Sequence, residues 1–201
     1  MYTSTLRPGF ARTSLPHLLA GMALLAACER QPVTPESSTN FQPRGAESQS
    51  FGAEVNKDLA SLRRVTASFH DFATAGRAGW STQVTPCMTD PGGSGGMGFH
   101  YGNTALIDGT ASVEKPQLLL YEPEKNGELR LVAVEYIIPY TFHPRSAAPP
   151  VLFGQQFAQV DAFQLWGLHA WVWENNPSGI FAPWNPRVNC ANASAVMSMS
   201  H

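Results

Sequence analysis

The chain most constrains its own fold between residues 117 and 140, where two apolar runs, QLLLY and ELRLVAVEYIIPY, flank Lys125-Asn126-Gly127. Asn-Gly adopts the positive φ of a tight turn at little cost, so the two runs read as the strands of an antiparallel hairpin. In the second run Arg130, Val132, Val134 and Tyr136 alternate with Leu131, Ala133, Glu135 and Ile137. Both sets are largely apolar, which predicts a strand buried on two faces at the centre of a sheet. Residues 98–101 (GFHY) and 165–173 (LWGLHAWVW) read as further strands. Residues 139–150 carry four prolines, which cannot donate to a ladder, and predict a surface loop.

Ahead of the hairpin, Val55, Leu59, Leu62, Val65, Phe69 and Phe72 recur at spacings of three and four, the stripe of one amphipathic helix over residues 53–75. Gly76 and Gly79 supply its stop. Residues 151–163 are ambiguous between strand and helix. The segment 175–190 has the Pro, Asn and Gly of an irregular chain, with Ile180, Phe181 and Trp184 turned inward. The expected fold is α+β: one N-terminal helix packed on a mostly antiparallel sheet or small open barrel, in a single globular domain over residues 51–201.

Arg7 and Arg12 precede the apolar residues 15–27, a stretch too short to span a bilayer, which needs roughly 20 residues. An export signal fits this pattern. Leu25, Ala26, Ala27 and Cys28 then resemble the lipobox of bacterial lipoproteins, in which the cysteine thiol receives a diacylglycerol before cleavage. The resemblance implies a signal peptide over residues 1–27, a lipid on Cys28, and a membrane held through acyl chains rather than a spanning helix. An ordinary signal peptide with an incidental cysteine, or a short N-terminal anchor, is the alternative. In diderm lipoproteins retention at the inner membrane usually needs Asp after the cysteine; Glu29 stands here, which implies the outer membrane, facing the periplasm. Residues 28–50, rich in Pro, Ser, Gln and Glu, cannot offset the entropy of ordering and read as a tether.

Export also decides the cysteines. Setting Cys28 aside leaves Cys87 and Cys190, which an oxidising compartment favours as a disulfide over a pair of metal-binding thiolates. The loop so closed, about 100 residues, is worth on the order of 4 to 5 kcal/mol in the chain-entropy view. The formal net charge is −2, and becomes more negative once Arg7 and Arg12 leave with the signal. That excludes a basic nucleic-acid surface.

Two glycine motifs mislead. Gly92-Gly93-Ser94-Gly95-Gly96 satisfies G-x-S-x-G, and with Asp161 and His169 downstream suggests a serine hydrolase. A turn precedes it and a strand, not a helix, follows. Gly93, Gly95 and Gly98 satisfy G-x-G-x-x-G, but without the strand before and helix after that a dinucleotide phosphate requires. Asn192-Ala193-Ser194 matches a glycosylation sequon, by chance in a bacterial chain.

Ionisable groups inside apolar strands are more informative: His100 in GFHYG, Glu122 after LLLY, Glu135 in LVAVEYII and His169 in WGLHAWVW. A buried unpaired charge costs several kcal/mol, so each needs a partner. Two imidazoles and a carboxylate from separate strands form the donor set of a divalent metal, zinc or iron, with open positions. The expected ligands are His100, Glu135 and His169, with Glu122 as general base or fourth ligand. The competing reading is that these groups pair with one another. His70-Asp71 on the helix is a weaker candidate, and His143 and His201 are not favoured. Alternation sets Trp171 and Trp173 on the side of His169, as packing or as the wall of a small-molecule site.

The blocks GGMGFHYGN, LLLYEPEKNGELRLVAVEY and LHAWVWENNPSGIFAPWNPRVNC, over roughly residues 60–190, resemble a group of uncharacterised bacterial exported proteins. The resemblance brings no activity, cofactor or substrate. A cupin-type barrel would also suit strands bearing His and Glu, but its first motif has two histidines one residue apart, and Gly102 stands where the second would be. Three functional readings follow: a membrane-tethered domain that binds a small ligand or metal; a metal-dependent enzyme; and a purely structural envelope component.

Overall fold

The computed structural model describes residues 50–199. The signal segment 1–27, Cys28, the tether up to residue 49 and His201 lie outside the described residues.

The apolar stripe forms α1 (Ala53–Thr66), which buries Leu59 and Leu62. It does not run on to residue 75. A 3-10 turn over Ala67–His70 intervenes, and the chain restarts as α2 (Phe72–Arg77). Asp71 makes the break: its backbone is extended, and its carboxylate accepts from the Ala73 amide at 3.2 Å and from the Thr74 hydroxyl. Aspartate suits this capping position because it satisfies amides left bare at a helix start. Thr66 acts from the other side, its hydroxyl donating back to the Leu62 carbonyl at 2.8 Å. The terminating glycine is Gly79, at φ +113°; Gly76 lies inside α2.

The strands are β1 (Thr82–Thr89), β2 (Gly96–Gly102), β3 (Leu118–Pro123), β4 (Leu129–Pro139), β5 (Val151–Leu152), β6 (Gln155–Gln156), β7 (Ala158–Val160) and β8 (Leu165–Ala170). Six of them form an antiparallel sheet in the order β1-β2-β3-β4-β8-β7, while β5 and β6 pair as a small separate hairpin. The fold is α+β, and residues 151–163 resolve into strands and a 3-10 turn. The Asn126-Gly127 turn joins β3 to β4 with Gly127 at φ +83°. β1 is not legible as a strand because Pro86 interrupts it; an edge strand tolerates this, and its register is irregular there.

Alternation along the strands divides the sheet into two buried faces. On the first, Phe99, Tyr101, Leu119, Tyr121, Val134, Tyr136, Ile138, Trp166 and Leu168 join Leu59 and Leu62 of α1 and Ala75 of α2 in one apolar cluster. On the second, Leu118, Leu120, Val132, Ala133, Ile137, Trp171 and Val188 form another. One irregularity sets which residue goes where. Tyr121 opposes Leu131 but Leu120 opposes Ala133, so Val132 is the extra residue of a β-bulge. Leu131 therefore lies with Val134 and Tyr136, not with Glu135 as simple alternation predicts.

The segment after β8 packs back on the sheet. Trp171 N–H donates to the Ile180 carbonyl at 2.8 Å, and Asn185 exchanges two backbone hydrogen bonds with Gly96, at 3.0 and 3.1 Å. This accounts for the glycine-rich motif. A Cβ on Gly95 would stand 2.0 Å from the Asn185 carbonyl oxygen, and one on Gly96 2.8 Å from that of Val188. The glycines admit another backbone, not a phosphate or a nucleophile. The disulfide Cys87–Cys190 pins the end of the segment to β1, with the Cα atoms 5.7 Å apart.

Candidate metal centre

Glu135 on β4 stands directly opposite His169 on β8. His100 on β2 lies two strands from Glu135, with β3 between them; Leu120 opposes His100 and Leu118 opposes Glu135. Two strand spacings are about 9.6 Å, which side chains on one face of a sheet can bridge. They do: His100 Nε2 is 3.5 Å from Glu135 Oε2, and His169 Nε2 is 3.8 Å from Glu135 Oε1. The two imidazole rings lie 6.3 Å apart at 82°. One ligand atom from each residue lies within 4.8 Å of the others. Two donors on one ion at bonds of about 2.1 Å stand roughly 3 to 4 Å apart, so the separations from Glu135 suit a shared ion.

The cluster is buried: His100 is 3 %, Glu135 7 % and His169 7 % exposed. Burial disfavours the charged form of each. It holds His100 down to about 4, against a backbone hydrogen bond to Gly98, and pushes Glu135 up to about 8. It holds His169 down to about 3, with His100 contributing. At neutral pH without an ion the three groups are therefore uncharged, and their approaches are not ion pairs. His169 Nε2 is buried without a hydrogen-bond partner.

Two residues not singled out in the sequence shape this centre. Thr85 on β1 faces His100 across the ladder, with its Oγ1 2.8 Å from His100 Nδ1. Gly167 on β8 lies under the carboxylate: a Cβ there would stand 2.9 Å from Glu135 Oε1. An isolated glycine inside an apolar strand is the signal for such a close approach. Nothing marks Thr85 in the sequence.

Glu122 does not join the cluster. It is two residues beyond Leu120 on the same face, where it pairs with Arg130 and accepts from the Asn189 backbone and side-chain amides at 3.0 Å each. It ties the C-terminal segment to β3. Arg130 in turn meets Glu174 at 2.7 Å. The tryptophans separate, because β8 ends at Ala170 and a tight turn from Val172 N–H to the Ala170 carbonyl breaks the alternation. Trp171 stacks on His169, rings 6.2 Å apart at 11°, and is almost wholly buried. Trp173 crosses to the helical side, where its ring N–H donates to Thr66 Oγ1 at 3.1 Å and its ring meets His70.

The remaining candidates have other partners. Asp71 caps α2, and the His143 ring meets the Ala148 carbonyl at 2.7 Å. The supposed hydrolase set is dispersed: Ser94 sits in the glycine turn bound to Asp90, Asp161 is held by Arg145 and Tyr140, and His169 belongs to the buried centre. Compared with protein-family models, curated proteins and solved structures, the chain matches none.

Proposed function

We propose that the chain is an exported lipoprotein, anchored through Cys28, whose domain holds a divalent metal ion, zinc or ferrous iron, on His100, Glu135 and His169. The observation that carries the metal reading is the buried, partnerless Nε2 of His169, turned toward a carboxylate that another imidazole also approaches. A buried polar atom without a partner costs about 1 to 3 kcal/mol, and a ligated ion removes that cost. Two nitrogens and a carboxylate suit a borderline ion, and three protein donors leave coordination for water or a small ligand. The enclosure of all three side chains favours retention of the ion over turnover of a bulky substrate.

The test is elemental analysis of the mature domain after export and after refolding with zinc or iron, beside a His100→Ala, His169→Ala double variant. One equivalent in the parent and none in the variant supports a metal-binding domain. No metal in either leaves three neutral groups packed together in the sheet, a structural role.

The anchor reading is carried by the sequence around Cys28. Among the described residues no helix is long and apolar enough to cross a membrane. A mass increment of diacylglycerol on the peptide beginning at Cys28, with partition into a detergent phase abolished by Cys28→Ser, supports it. A water-soluble Cys28→Ser and an equally soluble parent would refute it.

A further inference from the structure

β1 is an edge strand, and its burial pattern is that of a solvated one: Thr85 is the one residue of Thr82–Thr89 that is buried, at 8 % exposure. An edge strand gains little by enclosing a hydroxyl unless the hydroxyl has work to do. The Thr85 oxygen lies 2.8 Å from His100 Nδ1, on the side of the ring away from Glu135, while Nε2 faces the carboxylate at 3.5 Å.

A neutral imidazole carries one proton on two nitrogens, and the nitrogen that binds a metal must be bare. Whichever group accepts a hydrogen bond from the other nitrogen decides which one is bare. We propose that Thr85 is a positioning residue that accepts the Nδ1 proton of His100, fixing the tautomer in which Nε2 presents its lone pair to Glu135 and to a bound ion. The proposal rests on the metal-centre reading above and adds to it a residue outside the ligand set. It also fixes the ring plane, since the hydrogen bond that Nδ1 donates opposes rotation about the Cβ–Cγ bond.

Two measurements separate the parts. The first uses the metal-free full chain labelled with 15N in histidine: long-range 1H–15N spectra give the tautomer of His100 with no ion present. The parent and Thr85→Ser should show a proton on Nδ1, whereas Thr85→Val, similar in shape but unable to accept, should lose the single tautomer. The second is zinc(II) affinity by competition with a chromophoric chelator. Thr85→Val should weaken binding 10- to 100-fold, the usual effect of removing an outer-shell partner, with Thr85→Ser within about threefold of the parent. A parent-like tautomer and affinity in Thr85→Val would overturn the proposal, as would loss in Thr85→Ser equal to that in Thr85→Val. Should the parent take up neither zinc nor iron, the metal reading falls by itself, and the nitrogen spectra still decide whether Thr85 sets the ring. Thr85→Ala replaces Thr85→Val if the latter fails to form the Cys87–Cys190 bond.

Discussion

Stripping the metal and titrating stability against pH tests the electrostatics of the centre directly. Glu135 is raised from its ordinary 4.5 to about 8, so the stability it contributes is full below pH 4.5 and is lost as pH rises toward 8. His100 and His169 are lowered from 6.5 to about 4 and about 3, so what they contribute is present above 6.5 and lost as pH falls. Between 6.5 and 8 only the carboxyl differs between the states: the folded protein keeps a proton that the unfolded chain releases. The folding constant then drops roughly tenfold per pH unit, about 2 kcal/mol over that interval. Between 4.5 and 6.5 the unfolded chain holds two imidazole protons and the folded one a single carboxyl proton. The net slope is again roughly tenfold per unit, with the opposite sign. Stability of the metal-free domain should peak near pH 6.5.

Glu135→Gln isolates the carboxyl, because the amide keeps the shape and cannot ionise. Its alkaline limb should be flat between 6.5 and 8, and its acid limb should steepen to roughly a hundredfold per unit with the opposing proton gone. Urea unfolding followed by tryptophan fluorescence, in chelator, from pH 5 to 9, reads both limbs. Saturating zinc should also flatten the alkaline limb of the parent, since the ion holds the carboxylate charged. Parallel alkaline limbs in parent and Glu135→Gln would refute the argument, for the carboxyl would then be ionised in the fold at neutral pH.

Other perturbations follow from close approaches. Gly167→Ala sets a Cβ 2.9 Å from Glu135 Oε1 and 3.2 Å from Val160 Cγ2, so it should displace the carboxylate, cost about 1 to 3 kcal/mol and weaken zinc binding; chelator competition and urea unfolding check it. Gly95→Ala meets the Asn185 carbonyl oxygen at 2.0 Å with φ at +110°, so it should loosen the C-terminal segment and raise amide exchange at Gly96 and Asn185. Paired Cys87→Ser and Cys190→Ser open a bridge spanning 103 residues and should lower unfolding free energy by up to about 4 to 5 kcal/mol, read by thermal melting without reductant.

How far the sequence reveals this protein depends on which physical rule governs each element. The hairpin, β2, β8 and the disulfide follow from local turn chemistry, apolar runs and the parity of cysteines, and all are legible. The helix is legible as a stripe, but Asp71 within SFHDF is a capping residue in the middle of that stripe, and periodicity alone passes over it. Strand position alone sets Glu122 and Trp173 beside the site. One is taken by Arg130 and Asn189, the other is carried across by the turn after Ala170. Thr85 is invisible because its strand carries a proline and exposed neighbours.

The convergence itself depends on a feature that alternation does not encode. The Asn-Gly turn fixes Pro123 against Leu129 and Tyr121 against Leu131, and continuing that register would set Leu118 against Val134. Side chains paired across a ladder share a face, so Glu135 would then lie on the opposite face from Leu118, on the side of Leu119 and away from His100. The extra residue at Val132 shifts the ladder by one, sets Leu118 against Glu135, and turns the carboxylate to the face of His100 and His169. Deleting Val132 removes the unpaired residue and leaves Leu120 against Ala133 and Leu118 against Glu135, so the ligand set stays on one face and zinc uptake should survive while the second apolar cluster loses the Val132 side chain. Loss of zinc affinity in a folded deletion whose cross-strand nuclear Overhauser contacts still pair Leu118 with Glu135 would show that register alone does not assemble the centre.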